Sequence, residues 1–137
     1  MKTKTILSAA ICILLLAAAG FLWKASAQYP AETVVRSGDY RIVVKLIPLQ
    51  AKVLKPTALQ VSVFDANEQP VDSANVSISL FMARMFCGTV SVETASKGQG
   101  VFGGEAIALM PGSWTAEANV TIDGQTVVAR HVFEAVR

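Results

Sequence analysis

The chain has 137 residues, of which 53% are hydrophobic and 16% charged, and its formal net charge is +2. Lys2, Lys4 and Lys24 all precede residue 28, and without them nine basic residues face ten acidic ones. Nucleic-acid binding requires clustered lysine and arginine that neutralise phosphates, and the sequence after residue 27 contains no such cluster. We therefore expect that nucleic acid is not a partner.

The first 27 residues have the pattern of an export segment. Lys2 and Lys4 precede an apolar run from Ile6 to Trp23, and Ala25-Ser26-Ala27 is a small-x-small triplet of the kind that signal peptidases recognise. The run is also close to the length that spans a bilayer. Residues 1–27 are therefore predicted to be either a cleaved signal peptide or a retained N-terminal anchor helix. In both cases the domain lies on the periplasmic or extracytoplasmic side, secreted or anchored.

Residues 28–37 are interpreted as a linker, and the pattern changes at Gly38. Apolar side chains then alternate with more polar ones, so each run presents one apolar face, as in a half-buried strand. The clearest runs are Tyr40–Leu46, Leu59–Val63, Val76–Leu80 and Trp114–Ile122.

The connections between these runs are typical of an antiparallel β protein. Pro111-Gly112 suits a type II turn, and Asp123-Gly124 is a strong hairpin signal. About seven short strands at this spacing predict an all-β fold for residues 38–137, an immunoglobulin-like antiparallel sandwich of two sheets. The candidate core aromatic residues are Trp114, Phe64, Phe102 and Phe133.

Cysteine usage excludes an internal disulfide in the exported part. Cys12 lies within the apolar run, so Cys87 is the remaining thiol. In an oxidising compartment an unpaired thiol is buried, bound to a soft metal or open to oxidation.

The candidate metal ligands are the sulfur atoms of Met82, Met85 and Cys87. Thioether and thiolate sulfurs are soft donors that favour Cu(I), which makes copper the candidate cofactor. On a continuing strand Met82 and Met85 would face opposite sides, so a bend near residues 84–88 is required to bring all three sulfurs together. The alternative is that Met82 and Cys87 simply fill the end of the core.

Two further residues are weaker candidates for metal binding. His131 is the single histidine, and it is in phase with Val127, Ala129 and Phe133, so we expect it to face the apolar side of the last strand. Met110 precedes the Pro111-Gly112 turn and joins a sulfur cluster only if that turn folds near Gly88.

We expect no enzymatic activity. Covalent catalysis needs a nucleophile beside a base that a third group orients, and no serine or cysteine is visibly set against His131. Accordingly, no catalytic residue and no organic cofactor is predicted.

Several segments resemble the YtkA-like/FixH-like family of exported domains. They are Gly38-Asp39-Tyr40, Leu59–Asp65, Gln69–Val76, Met82–Met85, Gly100-Val101-Phe102 and Met110–Trp114. The resemblance implies an immunoglobulin-like sandwich, secreted or held by one N-terminal helix, that acts in copper handling or in assembly of cbb-type cytochrome oxidases. Ala83 stands where the family often has the proline of Met-Pro-x-Met, so this loop departs from the family pattern at that residue.

Two functions follow as hypotheses. The first is a non-enzymatic accessory domain for copper handling or for assembly of a membrane redox complex, with a copper donor or acceptor protein or a membrane-protein complex as partner. The second is a metal-free interaction module that binds a membrane-protein partner. The accessibility of the sulfur atoms of Met82 and Cys87 distinguishes them.

Overall fold

The computed structural model describes residues 29–85 and 88–137, which form ten strands. They are β1 (Glu32–Ser37), β2 (Tyr40–Ile47), β3 (Gln50–Lys52), β4 (Pro56–Phe64), β5 (Asn75–Phe81), β6 (Val90–Val92), β7 (Ala95–Gly98), β8 (Val101–Ile107), β9 (Gly112–Ile122) and β10 (Gln125–Val136). No helix in these two ranges is long and apolar enough to cross a membrane. The predicted signal or anchor segment lies outside the described residues.

The strands form two five-stranded sheets, which confirms the predicted all-β sandwich. One sheet has the order β1-β2-β4-β8-β7 and the other β3-β10-β9-β5-β6. β3 pairs with β10 in parallel, and the other strand pairs are antiparallel. Between the sheets lies one apolar core, whose largest fully buried side chains include Trp114, Phe133, Ile42, Leu46, Leu59 and Leu80.

Of the four predicted core aromatic residues, Phe64 is the one that the structure places elsewhere. Leu59, Val61 and Val63 face the core, so alternation along β4 turns Phe64 to the opposite face, where it is half-buried. There the Arg41 guanidinium lies 4.4 Å from the centre of its ring, a cation–π contact. Phe64 thus stabilises the outer surface of the first sheet.

The predicted linker contains a strand. Glu32–Ser37 forms β1, which pairs with β2 residue by residue from Glu32 opposite Lys45 to Ser37 opposite Tyr40. Because β1 is an edge strand and most of its residues are exposed, its apolar alternation is weak. With β1 and the short strands β3, β6 and β7, the described chain has ten strands where about seven were expected.

The Asp123-Gly124 hairpin is confirmed. It joins β9 to β10, and both residues have positive φ, 50° and 78°, as a type I′ turn requires. The hairpin aligns the two longest strands of the sandwich, so His131 lies opposite Ala116 and Phe133 opposite Trp114.

The connections between strands separate into two ends of the sandwich, according to the strand registers. Apart from residues 93–94, which join β6 to β7, the described connections lie at one end or the other: residues 48–49, 53–55, 82–85, 88–89 and 108–111 at the Leu54 end, and residues 38–39, 65–74, 99–100 and 123–124 at the Asp123 end. β1 begins at the Leu54 end, where Tyr29 lines a cleft together with Met82 and Pro111. Met82, Met85 and Met110 therefore share one end with the start of the described chain.

Candidate functional site

Met82 and Met85 lie in a turn that directly follows β5. The strand ends at Phe81, and the Met85 N–H donates a hydrogen bond to the Met82 carbonyl oxygen over 3.2 Å. The chain therefore turns at residues 82–85, which overlap the start of the bend predicted near residues 84–88. Since the two methionines occupy the first and fourth positions of this turn, strand alternation no longer places them on opposite faces.

Both methionine side chains line the same two clefts at the surface. The larger cleft, of about 540 Å³, is bounded by Tyr29, Met82, Arg84, Met85, Pro111, Gly112 and Val132, among others. The smaller, of about 310 Å³, is lined by Phe81, Gly88 and Thr89 in addition to the two methionines. Met82 is only 9% exposed whereas Met85 is 49% exposed, so one thioether is fixed at the edge of the core and the other reaches solvent.

Gly112 provides the space for Met82. A Cβ at residue 112 would lie 2.9 Å from the Met82 Cε methyl, and Gly112 has a φ of +131°, which side-chain-bearing residues rarely adopt. The β8–β9 connection and the start of β9 thus lie beside the Met82–Met85 turn. The sequence marked Gly112 as a turn residue, but this long-range contact leaves no local signal.

Met110 lies on that same connection but has a packing role. Its side chain is partly buried against the core, and its carbonyl oxygen accepts a 2.9 Å hydrogen bond from the Trp114 Nε1–H. This bond satisfies the polar atom of the largest core side chain. Cys87, the remaining sulfur candidate, lies outside the described residues.

His131 is buried in the core, apart from the methionines. It is 1% exposed, which confirms that it faces the apolar side of the last strand, and its Nδ1 lies 3.0 Å from the Thr33 Oγ1 of β1. Burial lowers the pKa of His131 below its usual value, so the ring is neutral near pH 7. In the second sheet His131 lies opposite Ala116 of β9, and Ala116 lies opposite Leu80 of β5, so His131 and Leu80 are two strand spacings, or about 10 Å, apart. Met82 follows Leu80 by two residues, just beyond the end of β5.

The described residues 29–85 and 88–137 contain no cluster of the side chains that usually bind harder metal ions. No group of three or more histidine, cysteine, aspartate or glutamate side chains there could hold an ion. The sulfur pair of Met82 and Met85 is the candidate metal centre that these ranges offer, and it favours a soft, monovalent ion.

No family profile matches the sequence, and no curated protein matches it either. The resemblance to YtkA-like/FixH-like domains therefore stays a prediction. Solved structures do match the fold, at low sequence identity.

A DUF4785 family protein from Legionella pneumophila is 14% identical with a TM-score of 0.56, over 73% of this chain. The chain spans only 29% of that protein. The Lin-41 filamin domain is 15% identical with a TM-score of 0.51, over 81% of this chain and 99% of the domain. The PmoD soluble domain from Methylocystis sp. is 13% identical with a TM-score of 0.49, over 76% of this chain and 97% of that one. The first two likenesses establish the fold as a filamin- and immunoglobulin-like sandwich and nothing further.

Proposed function

We propose that this protein is an exported, non-enzymatic domain that binds Cu(I) through the Met82–Met85 turn, with Cys87 as the third sulfur ligand. It would serve copper handling or the assembly of a membrane redox complex. The observation that carries the proposal is the hydrogen-bonded turn, which places two thioethers on shared clefts. Cys87 follows Met85 by two residues in the sequence.

The charge balance of such a site suits its surroundings. Two neutral thioethers and one thiolate give Cu(I) a net charge of zero, and a neutral complex costs little to hold beside apolar groups. The donors also differ in mobility. Met82 is fixed against Gly112, whereas the exposed Met85 is free to move with an incoming or departing ion.

Two features support the export and the absence of catalysis. The pattern of residues 1–27 is that of a signal or anchor segment. The one imidazole, His131, has the Thr33 hydroxyl as its side-chain hydrogen-bond partner within the described chain. A neutral histidine bonded to a threonine and enclosed in a core does not activate a nucleophile at the surface.

The proposal is tested by a Cu(I) competition titration on residues 28–137 under reducing conditions, with a chromogenic Cu(I) chelator as competitor. We expect one copper per chain, with affinity reduced in Met82→Leu, Met85→Leu and Cys87→Ser. Met110→Leu is the matched control, because it removes a thioether from the neighbouring connection and is expected to bind like the unmodified domain. Leucine conserves the volume of methionine, so folding is retained.

Absence of binding by the unmodified domain would refute the copper proposal and favour the metal-free interaction module. The observation that favours this alternative is the edge strand β7, whose four residues are all exposed. Beside it lies a cleft of about 670 Å³ whose lining includes Ser91, Lys97 and Gly103. A sheet edge with unpaired backbone groups can accept a strand from a partner.

A further inference from the structure

Exposed apolar side chains concentrate at the Leu54 end of the sandwich. Of the nine large hydrophobic residues exposed in the described chain, six lie at or beside this end. They are Leu54 (66% exposed), Leu49 (60%), Leu109 (51%), Met85 (49%), Ile47 (46%) and Ile107 (38%). The other three, Val34, Val128 and Val132, lie along strands. Such a concentration on one end marks an interaction surface, whereas scattered apolar residues do not.

Leu54 occupies a backbone position that does not suit leucine. The Lys55 N–H donates to the Lys52 carbonyl oxygen over 3.1 Å, so residues 52–55 form a turn, and its third residue, Leu54, has a φ of +60°. Glycine or asparagine is preferred there, because a branched side chain is strained in the left-handed region. The Leu54 N–H donates to the Ala108 carbonyl oxygen over 2.8 Å, which holds the turn beside Leu109. The fold thus keeps a strained leucine that it does not bury.

The connecting segments at the two ends of the sandwich carry opposite charge. The four connections at the Leu54 end contain Lys55 and Arg84 and no acidic residue. The exposed Lys52 and Arg137 flank them, and so do two acidic residues, Glu32 at the start of β1 and Glu134 opposite Gln50. The four connections at the other end contain five acidic residues and no basic one: Asp39, Asp65, Glu68, Asp72 and Asp123. Glu68 is paired there with Arg41, which extends from β2. Basic residues around exposed leucines fit a surface that is both apolar and anionic.

The described chain also starts at the Leu54 end. Tyr29 lines a cleft there with Met85 and Pro111, and in the sequence the apolar run Ile6–Trp23 ends six residues earlier. If that run is retained in a bilayer, so short a connection keeps this end close to the lipid headgroups.

From these observations we infer that the Leu54 end docks directly on an anionic lipid surface, with Leu49, Leu54 and Leu109 entering the interface and Lys52 and Lys55 contacting lipid phosphates. The inference does not depend on copper. It orients the sandwich with the Met82–Met85 turn toward the membrane and the acidic Asp123 end toward the aqueous phase.

The test measures how deeply the Leu54 end enters the bilayer. Binding to vesicles alone would not be informative, because a retained anchor would bring the chain to vesicles in any case. The full chain, with Cys12→Ser and Cys87→Ser, is labelled with an environment-sensitive fluorophore at Leu49→Cys or, as the matched control, at Asn67→Cys in the opposite end. Both variants are reconstituted in vesicles containing phosphatidylglycerol. We expect a blue shift and quenching by doxyl-labelled lipid at position 49, and neither at position 67.

The lysines supply a second readout. Each of the variants Lys52→Gln and Lys55→Gln should lower the ratio of docked to undocked protein about fivefold. Vesicles of phosphatidylcholine alone, which carry no net charge, should give little quenching at position 49. Water-like emission at position 49 in anionic vesicles would overturn the inference. It would equally be overturned by a blue shift that grows with protein density and is insensitive to doxyl lipid, since that result identifies a protein, such as a second copy of the chain, as the occupant.

Discussion

His131 makes the stability of the domain depend on pH in a direction that follows from its burial. In the folded state the ring is enclosed and its pKa is lowered, whereas in the unfolded chain it returns to about 6.5. Below pH 6.5 the unfolded state therefore binds a proton that the folded state does not, so stability falls as pH decreases. Above pH 6.5 both states hold a neutral histidine, so this loss of stability is absent.

The size of the effect has an upper limit set by one proton. A histidine that stays neutral in the fold lowers the free energy of unfolding by about 1.4 kcal/mol between pH 7.5 and pH 5.5. Urea unfolding of residues 28–137 measures it, with fluorescence from Trp114, the one tryptophan in this fragment and 2% exposed. His131→Gln should remove the dependence in this range.

Thr33→Val is the matched control for this experiment. It removes the hydroxyl 3.0 Å from the Nδ1 but leaves the imidazole buried, so the pH dependence should persist. Equal pH dependence in the unmodified domain and in His131→Gln would refute the reasoning, because the titrating group would then be elsewhere.

The remaining predictions concern two backbone positions and the Met85 side chain. In Gly104→Ala the new Cβ would lie 2.0 Å from the Glu93 carbonyl oxygen, so the free energy of unfolding measured with urea should fall by about 3 kcal/mol. Gly124→Ala is the comparison: its Cβ has free space but its φ is positive, so the free energy of unfolding should fall by about 1 kcal/mol. Leu54→Asn should change the free energy of unfolding by no more than about 1 kcal/mol, because asparagine tolerates the left-handed region, yet it should abolish the quenching by doxyl lipid at position 49. If stability and quenching were lost together, the docking role of Leu54 would be contradicted. Met85→Leu, at a half-exposed site, should change stability by less than about 0.5 kcal/mol while weakening Cu(I) binding in the chelator titration.

Local patterns in the sequence were sufficient to predict the main strands and one hairpin. Alternation identified β2, β4, β5 and β9, because each has one face in the core, and Asp123-Gly124 fixed the β9–β10 turn through its positive φ values. The same alternation, followed to the end of β4, turns Phe64 outward, and its selection as a core residue by its aromatic side chain alone was wrong.

The parts that the sequence did not reveal depend on contacts between distant segments. β1 is an edge strand whose place is set by pairing with β2 and by the bond from Thr33 to His131, 98 residues away. Likewise, Gly112 makes room for Met82 across the β8–β9 connection. The spacing of the methionines suggested a soft-metal site, but their common clefts arise from the turn after Phe81, which period-two patterning does not encode.

The most direct test of the copper site is X-ray absorption on the Cu(I)-loaded 28–137 domain with selenomethionine in place of methionine. The account predicts copper–selenium scattering that is lost in a Met82→Leu, Met85→Leu double variant and kept in Met110→Leu, together with a sulfur contribution lost in Cys87→Ser. A copper shell of nitrogen or oxygen atoms alone, or selenium scattering that depends on Met110, would contradict it.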